Sequence, residues 1–99
     1  MKVVFTDEAK AGLRSIALYI GRDSQKRALS CVRELRDAAL ALGDYPQVHL
    51  LIPRYEAYGH RRKPYGAYLI IYTIEADQVV IDAVLHGAQD FEAILFPER

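Results

Sequence analysis

Gly59-His60-Arg61-Arg62-Lys63-Pro64-Tyr65-Gly66-Ala67-Tyr68-Leu69-Ile70-Ile71-Tyr72-Thr73-Ile74 decides the fold. Residues 59–63 read as a short basic strand. Pro64 lacks an N–H, which confines that strand to a sheet edge or marks its end. Tyr65-Gly66 supports a hairpin turn. Ala67 to Ile74 is apolar at both parities, so the second strand is expected to be central and covered on both faces. Glu75-Ala76-Asp77-Gln78 turns the chain again, and Val79 to Leu85 makes the last strand. It ends at a corner, Leu85-His86-Gly87-Ala88-Gln89-Asp90.

Upstream, the β-branched run Lys2 to Phe5 suits a strand. Thr6 offers an N-cap, and Asp7 and Glu8 place negative charge where a helix dipole favours it. Ala9, Leu13, Ile16, Ala17 and Ile20 then recur at helical spacing, and Gly21 closes the helix. Ser24 caps a second helix whose stripe is Ala28, Cys31, Val32, Leu35, Ala39 and Leu42, with Gly43 at its end. About three residues between two helices imply an antiparallel hairpin. Asp44 to Tyr58, broken by Pro46 and Pro53, reads as loop, with His49 to Ile52 extended or in a loose turn. After Gly87, Ala88 to Phe96 reads as a terminal helix with Phe91, Ile94 and Leu95 as its apolar contacts. The predicted order is β-α-α-β-β-β-α, an α+β domain with a helical hairpin packed on a small antiparallel sheet.

The 99 residues suit a single domain spanning the chain, with a modest core. An apolar content of 52% with 26% charged residues is that of a globular protein. Thirteen basic and thirteen acidic side chains cancel, so no global field points to nucleic acid. The lone Cys31 has no internal disulfide partner and lies on an apolar stripe, which reads as a buried thiol in a reducing compartment. The N-terminus turns acidic too early for a signal peptide, and no apolar run is long enough for a membrane span. A cytoplasmic protein with no membrane association is expected. No His, Cys, Asp or Glu spacing suggests a metal, no glycine-rich loop cradles a phosphate, and no cofactor is expected.

Chemistry concentrates at three places. Arg61 and Lys63 share one face of the basic strand and His60 and Arg62 the other. One pair can meet phosphates or acidic side chains, or the charges can serve to keep an edge strand from pairing. As surface residues, Arg61 and Lys63 are expected to tolerate alanine within ~0.5 kcal/mol. Tyr55, Tyr58, Tyr65, Tyr68 and Tyr72 interleave with these cations, as in single-strand binders or as half-buried packing. His86, at a strand end before Gly87, is placed for acid–base work or for satisfying a backbone group at the corner.

The element order resembles the RelE/ParE toxins of bacterial type II toxin–antitoxin pairs over nearly the whole chain. Tyr68-Leu69-Ile70-Ile71-Tyr72 and Val84-Leu85-His86-Gly87-Ala88-Gln89-Asp90 resemble the ParE branch, which commonly shows a tyrosine-containing apolar strand and a Leu-His-Gly-Ala-Arg-Asp corner. Gln89 stands where arginine is usual, and Thr73 where a basic residue is frequent. The resemblance implies a toxin that is not an enzyme, binds and inhibits DNA gyrase, and is neutralised by a cognate antitoxin in a hetero-oligomer, with no sequence-specific DNA binding of its own. It makes Arg61, Arg62 and Lys63 the target-binding candidates, with His86 and Tyr72 as possible site residues. Candidates for the antitoxin are Leu13 on the first helix's apolar stripe and, as exposed apolar residues, Tyr19, Leu29, Leu40 and the 48–52 run. The alternatives are a ribosome-dependent mRNA interferase of the RelE type, or a remnant of the fold with no toxicity. Against the interferase, two of that branch's arginine positions fall on Leu69 and Gln89, and its C-terminal tyrosine falls near Leu95. A single lost stabilising donor typically costs ~3–4 kcal/mol of transition-state stabilisation.

Overall fold

A computed structural model of the chain describes residues 1–97. Its elements are β1 (Lys2–Phe5), α1 (Asp7–Gly21), α2 (Gln25–Leu40), β2 (Arg61–Tyr65), β3 (Tyr68–Glu75), β4 (Gln78–His86) and α3 (Phe91–Leu95). The expected order stands. Both predicted caps form: the Thr6 hydroxyl accepts from Ala9 N–H at 3.1 Å, and the Ser24 hydroxyl accepts from Arg27 N–H at 3.2 Å. Past Leu40 the second helix tightens into a 3-10 turn, Ala41–Gly43.

The four strands lie in the order β1-β4-β3-β2. β2, β3 and β4 form an antiparallel meander, as expected. β1 differs: it pairs in parallel with β4, Val3 opposite Val79 and Phe5 opposite Ile81, so the sheet is mixed. The helical hairpin carries the chain across the sheet and the meander returns, bringing β4 alongside β1. β2 holds the edge, as Pro64 required, but begins two residues later than expected. Its hairpin turn is Gly66-Ala67, Gly66 supplying a φ of 57°.

β3 is covered on both faces because two cores meet it. Ile70 and Tyr72 face the helices with Leu13, Ile16, Leu35 and Ala39. Ile71 faces the other way, with Ala83, Ile52 and Phe96. Segment 44–58 supplies part of that second cover. Leu51 bridges Arg61, Ile52 N–H donates to the His60 carbonyl at 3.0 Å, and Ile52 is fully buried. The 48–52 run is therefore no single exposed patch: Val48 and Leu50 face out while Ile52 is core. The terminal helix is shorter than expected, and Ile94 lies exposed. Phe96, just beyond the helix, is the buried residue.

α1 rests directly on β4. A Cβ at Gly12 would lie 2.3 Å from the Val84 carbonyl oxygen, closer than any side chain permits.

Candidate functional site

The basic strand divides as its parity requires, but two of its three cations are committed inside the molecule. Arg61 Nη1 donates to the His49 carbonyl at 2.6 Å. Lys63 Nζ donates to the Ala38 carbonyl at 2.9 Å, in the last turn of α2, where the helix dipole favours a cation. Both are partly buried struts tying β2 to the 44–58 segment and to α2. The expectation that they are freely replaceable surface charges is corrected. Arg62, exposed on the opposite face, lies with its guanidinium 5.7 Å from the centre of the Phe91 ring.

Tyr72 is fully buried, and its hydroxyl donates to the Pro46 carbonyl at 2.8 Å. Burial pushes its pKa above the usual tyrosine value, against smaller opposing effects from its hydrogen-bonding environment and from Arg61. It is a core strut for the loop, placed away from any surface a target could touch.

His86 sits at the exposed end of β4, its ring edge-on to Tyr68 at 5.5 Å. Its Nδ1 accepts from Ala88 N–H at 3.1 Å, and its own N–H donates to Gln89 Oε1 at 2.9 Å. Gly87 N–H donates to the Ala67 carbonyl at 2.7 Å. The corner is thus closed by its own side chains. Gln89 serves there as an acceptor, a role arginine has no atom to fill. Among the described residues no carboxylate forms an ion pair with His86. Leu69 and Leu95 pack into the second core.

Of the residues expected to meet an antitoxin, Leu13 is core at 8% exposure. Tyr19, Leu29 and Leu40 are exposed on the outside of the hairpin, joined by Leu18. Two surface features run there. A groove of about 470 Å³ between α1 and the end of the sheet is lined by Tyr19, Tyr68, Leu85 and His86 among others. A second, along α2, is lined by Leu29, Val32, Arg33, Arg36, Asp37 and Leu40.

One polar cluster escapes sequence reasoning. The β3–β4 register slips between Ile71, opposite Ala83, and Tyr72, opposite Ile81, leaving Asp82 as the extra residue of a β-bulge. Its carbonyl accepts from the Thr6 hydroxyl at 3.0 Å. Its carboxylate lies 3.7 Å from His60 Nε2, beyond hydrogen-bond reach. Burial pushes the Asp82 pKa up; Thr73 and His60 oppose the shift, and Glu75 and Glu8 reinforce it. The alternation of the last strand gives no hint of a bulge, since only the observed register reveals it.

This arrangement, a helical hairpin on one face of a four-stranded mixed sheet, defines a small α+β domain with an exposed apolar helical surface. The sequence matches, over residues 3–91, the family described as ParE toxin of type II toxin-antitoxin system, parDE. The chain belongs to that family. Among curated proteins no match is found. A solved structure titled "Chromosomal ParDE TA system from P. aeruginosa" shares the fold, with a TM-score of 0.74 at 18% identity, covering 87% of this chain and 95% of that one.

Proposed function

We propose that this toxin acts by binding rather than by cleaving, that its target is DNA gyrase, and that a cognate antitoxin holds it inactive. The observation that carries the reading is the His86 corner. Its Nδ1 and the Gln89 side chain are spent on backbone groups, so the corner where a nuclease needs a base and cations is a closed turn with no cation in it. Arg61 and Lys63 are likewise engaged in structure. The antitoxin's surface is the outer face of the hairpin. Leu29 and Leu40 there lie among Arg33, Arg36 and Asp37, a net positive surround that suits an amphipathic helical segment with acidic residues.

Expression tests the reading. Produced alone, the chain is expected to arrest growth with filamentous cells and an induced DNA-damage response while protein synthesis continues at first. Co-expression with its antitoxin is expected to restore growth and yield a co-purifying complex. Rapid loss of protein synthesis with cut transcripts would contradict binding and favour an interferase. Unimpaired growth would mark a fold without toxicity.

A further inference from the structure

The sheet face turned away from the hairpin holds an aromatic slot filled by the chain's own C-terminal segment. Phe96 stacks on Tyr55 with ring centres 4.1 Å and planes 4° apart. It meets Tyr58 at 5.0 Å and the edge of His60 at 5.5 Å. One turn away, Glu92 reaches Arg54 at 3.4 Å, and Phe91 lies under Arg62. Phe96 N–H donates to the Glu92 carbonyl at 2.8 Å, which holds the two residues one helical turn apart. The segment therefore offers an aromatic ring and a negative charge to two tyrosines and two arginines.

The occupant does not complete the slot. Phe96 has no polar edge. Yet the slot's own His60 keeps Nδ1 buried without a hydrogen-bond partner, and Asp82 Oδ2 behind it meets His60 Nε2 only at 3.7 Å. Buried polar atoms without partners are rare and mark missing interactions. A flat ring carrying donors and acceptors on its edge supplies what phenylalanine lacks, and a phosphate supplies what Glu92 imitates.

We propose that the slot is a nucleotide-binding site, and that Phe96 and Glu92 are a built-in mimic that holds it closed. The base stacks on Tyr55 and Tyr58 with its polar edge toward His60 and Asp82. The phosphate lies against Arg54 and Arg62. Bound nucleotide and docked C-terminal segment exclude one another. The proposal is independent of gyrase as the target and of any toxicity.

The test is an NMR titration of the full chain with AMP, adenosine and inorganic phosphate, following the Tyr55, Tyr58 and His60 ring signals. AMP is expected to shift these signals in the unmodified chain. Phe96→Ala is expected to bind AMP at least about tenfold more tightly, from the stacking surface released. Glu92→Gln, which leaves the core untouched, is expected to bind several-fold more tightly. Adding Arg54→Ala to either variant is expected to remove most of the gain, and adenosine or phosphate alone is expected to bind more weakly than AMP. Unchanged AMP affinity in folded Phe96→Ala overturns the proposal. If that variant does not fold, unchanged affinity in Glu92→Gln does so. Phosphate binding as tightly as AMP also overturns it, since it reduces the site to an anion contact.

Discussion

At the residue scale, the basic strand separates charge that is structural from charge that is available. Arg61 and Lys63 donate to partly buried carbonyls, and hydrogen bonds from charged donors typically contribute ~1.5–3 kcal/mol. Lys63→Ala is expected to lower stability by about that amount in chemical denaturation, whereas Arg62→Ala is expected to cost no more than ~0.5 kcal/mol. Equal effects would mean the struts carry no weight. Asp82 gives a pH signature. Its pKa is raised in the folded chain, so folding binds its proton more tightly than the unfolded state does. The contribution is fully favourable below the ordinary carboxylate pKa and is lost as pH rises through the raised value. Asp82→Asn is therefore expected to match the unmodified chain in thermal stability at acid pH and to exceed it increasingly toward neutrality. A constant difference across pH would contradict this account.

The elements show what the sequence could and could not announce. α1 and α2 were legible because apolar residues at helical spacing and two hydroxyl caps agree with each other. β3 was legible because apolar residues at both parities leave one reading, a strand covered twice. The parallel partnership of β1 with β4 was hidden, since neither strand's pattern names its neighbour. Ile52 and Phe96 were hidden for a related reason. Each is buried only through distant partners, Ile52 by the β2 edge and Phe96 by Tyr55, and the prolines of the 44–58 segment mask any periodicity. The three cations of β2 were legible as a cluster, but their commitment depends on where the Ala38 and His49 carbonyls fall. Two backbone positions are testable. Gly12→Ala drives a methyl into the Val84 carbonyl and is expected to cost on the order of 2 kcal/mol or more, by displacing α1 from the sheet. Ala76, in the β3–β4 turn, has a φ of 54°, which strains an L residue. Ala76→Gly relieves that strain at some entropic cost, and a gain of roughly 0.5–1 kcal/mol in denaturant unfolding is expected.

Across the whole molecule, the two sheet faces have separate roles. One packs the hairpin and leaves Leu18, Tyr19, Leu29 and Leu40 exposed on its outer side. The other is closed by the C-terminal segment and the 51–58 loop. No helix among the described residues is long and apolar enough to cross a membrane. The ParE kinship supplies the toxin assignment, and inhibition by contact is the proposal built on the His86 corner. The most direct measurement sets the purified chain against its two possible targets in parallel. DNA supercoiling by purified gyrase and translation in a reconstituted system are each titrated with the same preparation. The account predicts that supercoiling stops and cleaved DNA accumulates, while messenger RNA stays intact and translation proceeds. Unimpaired supercoiling beside messenger RNA cut on the ribosome would contradict it.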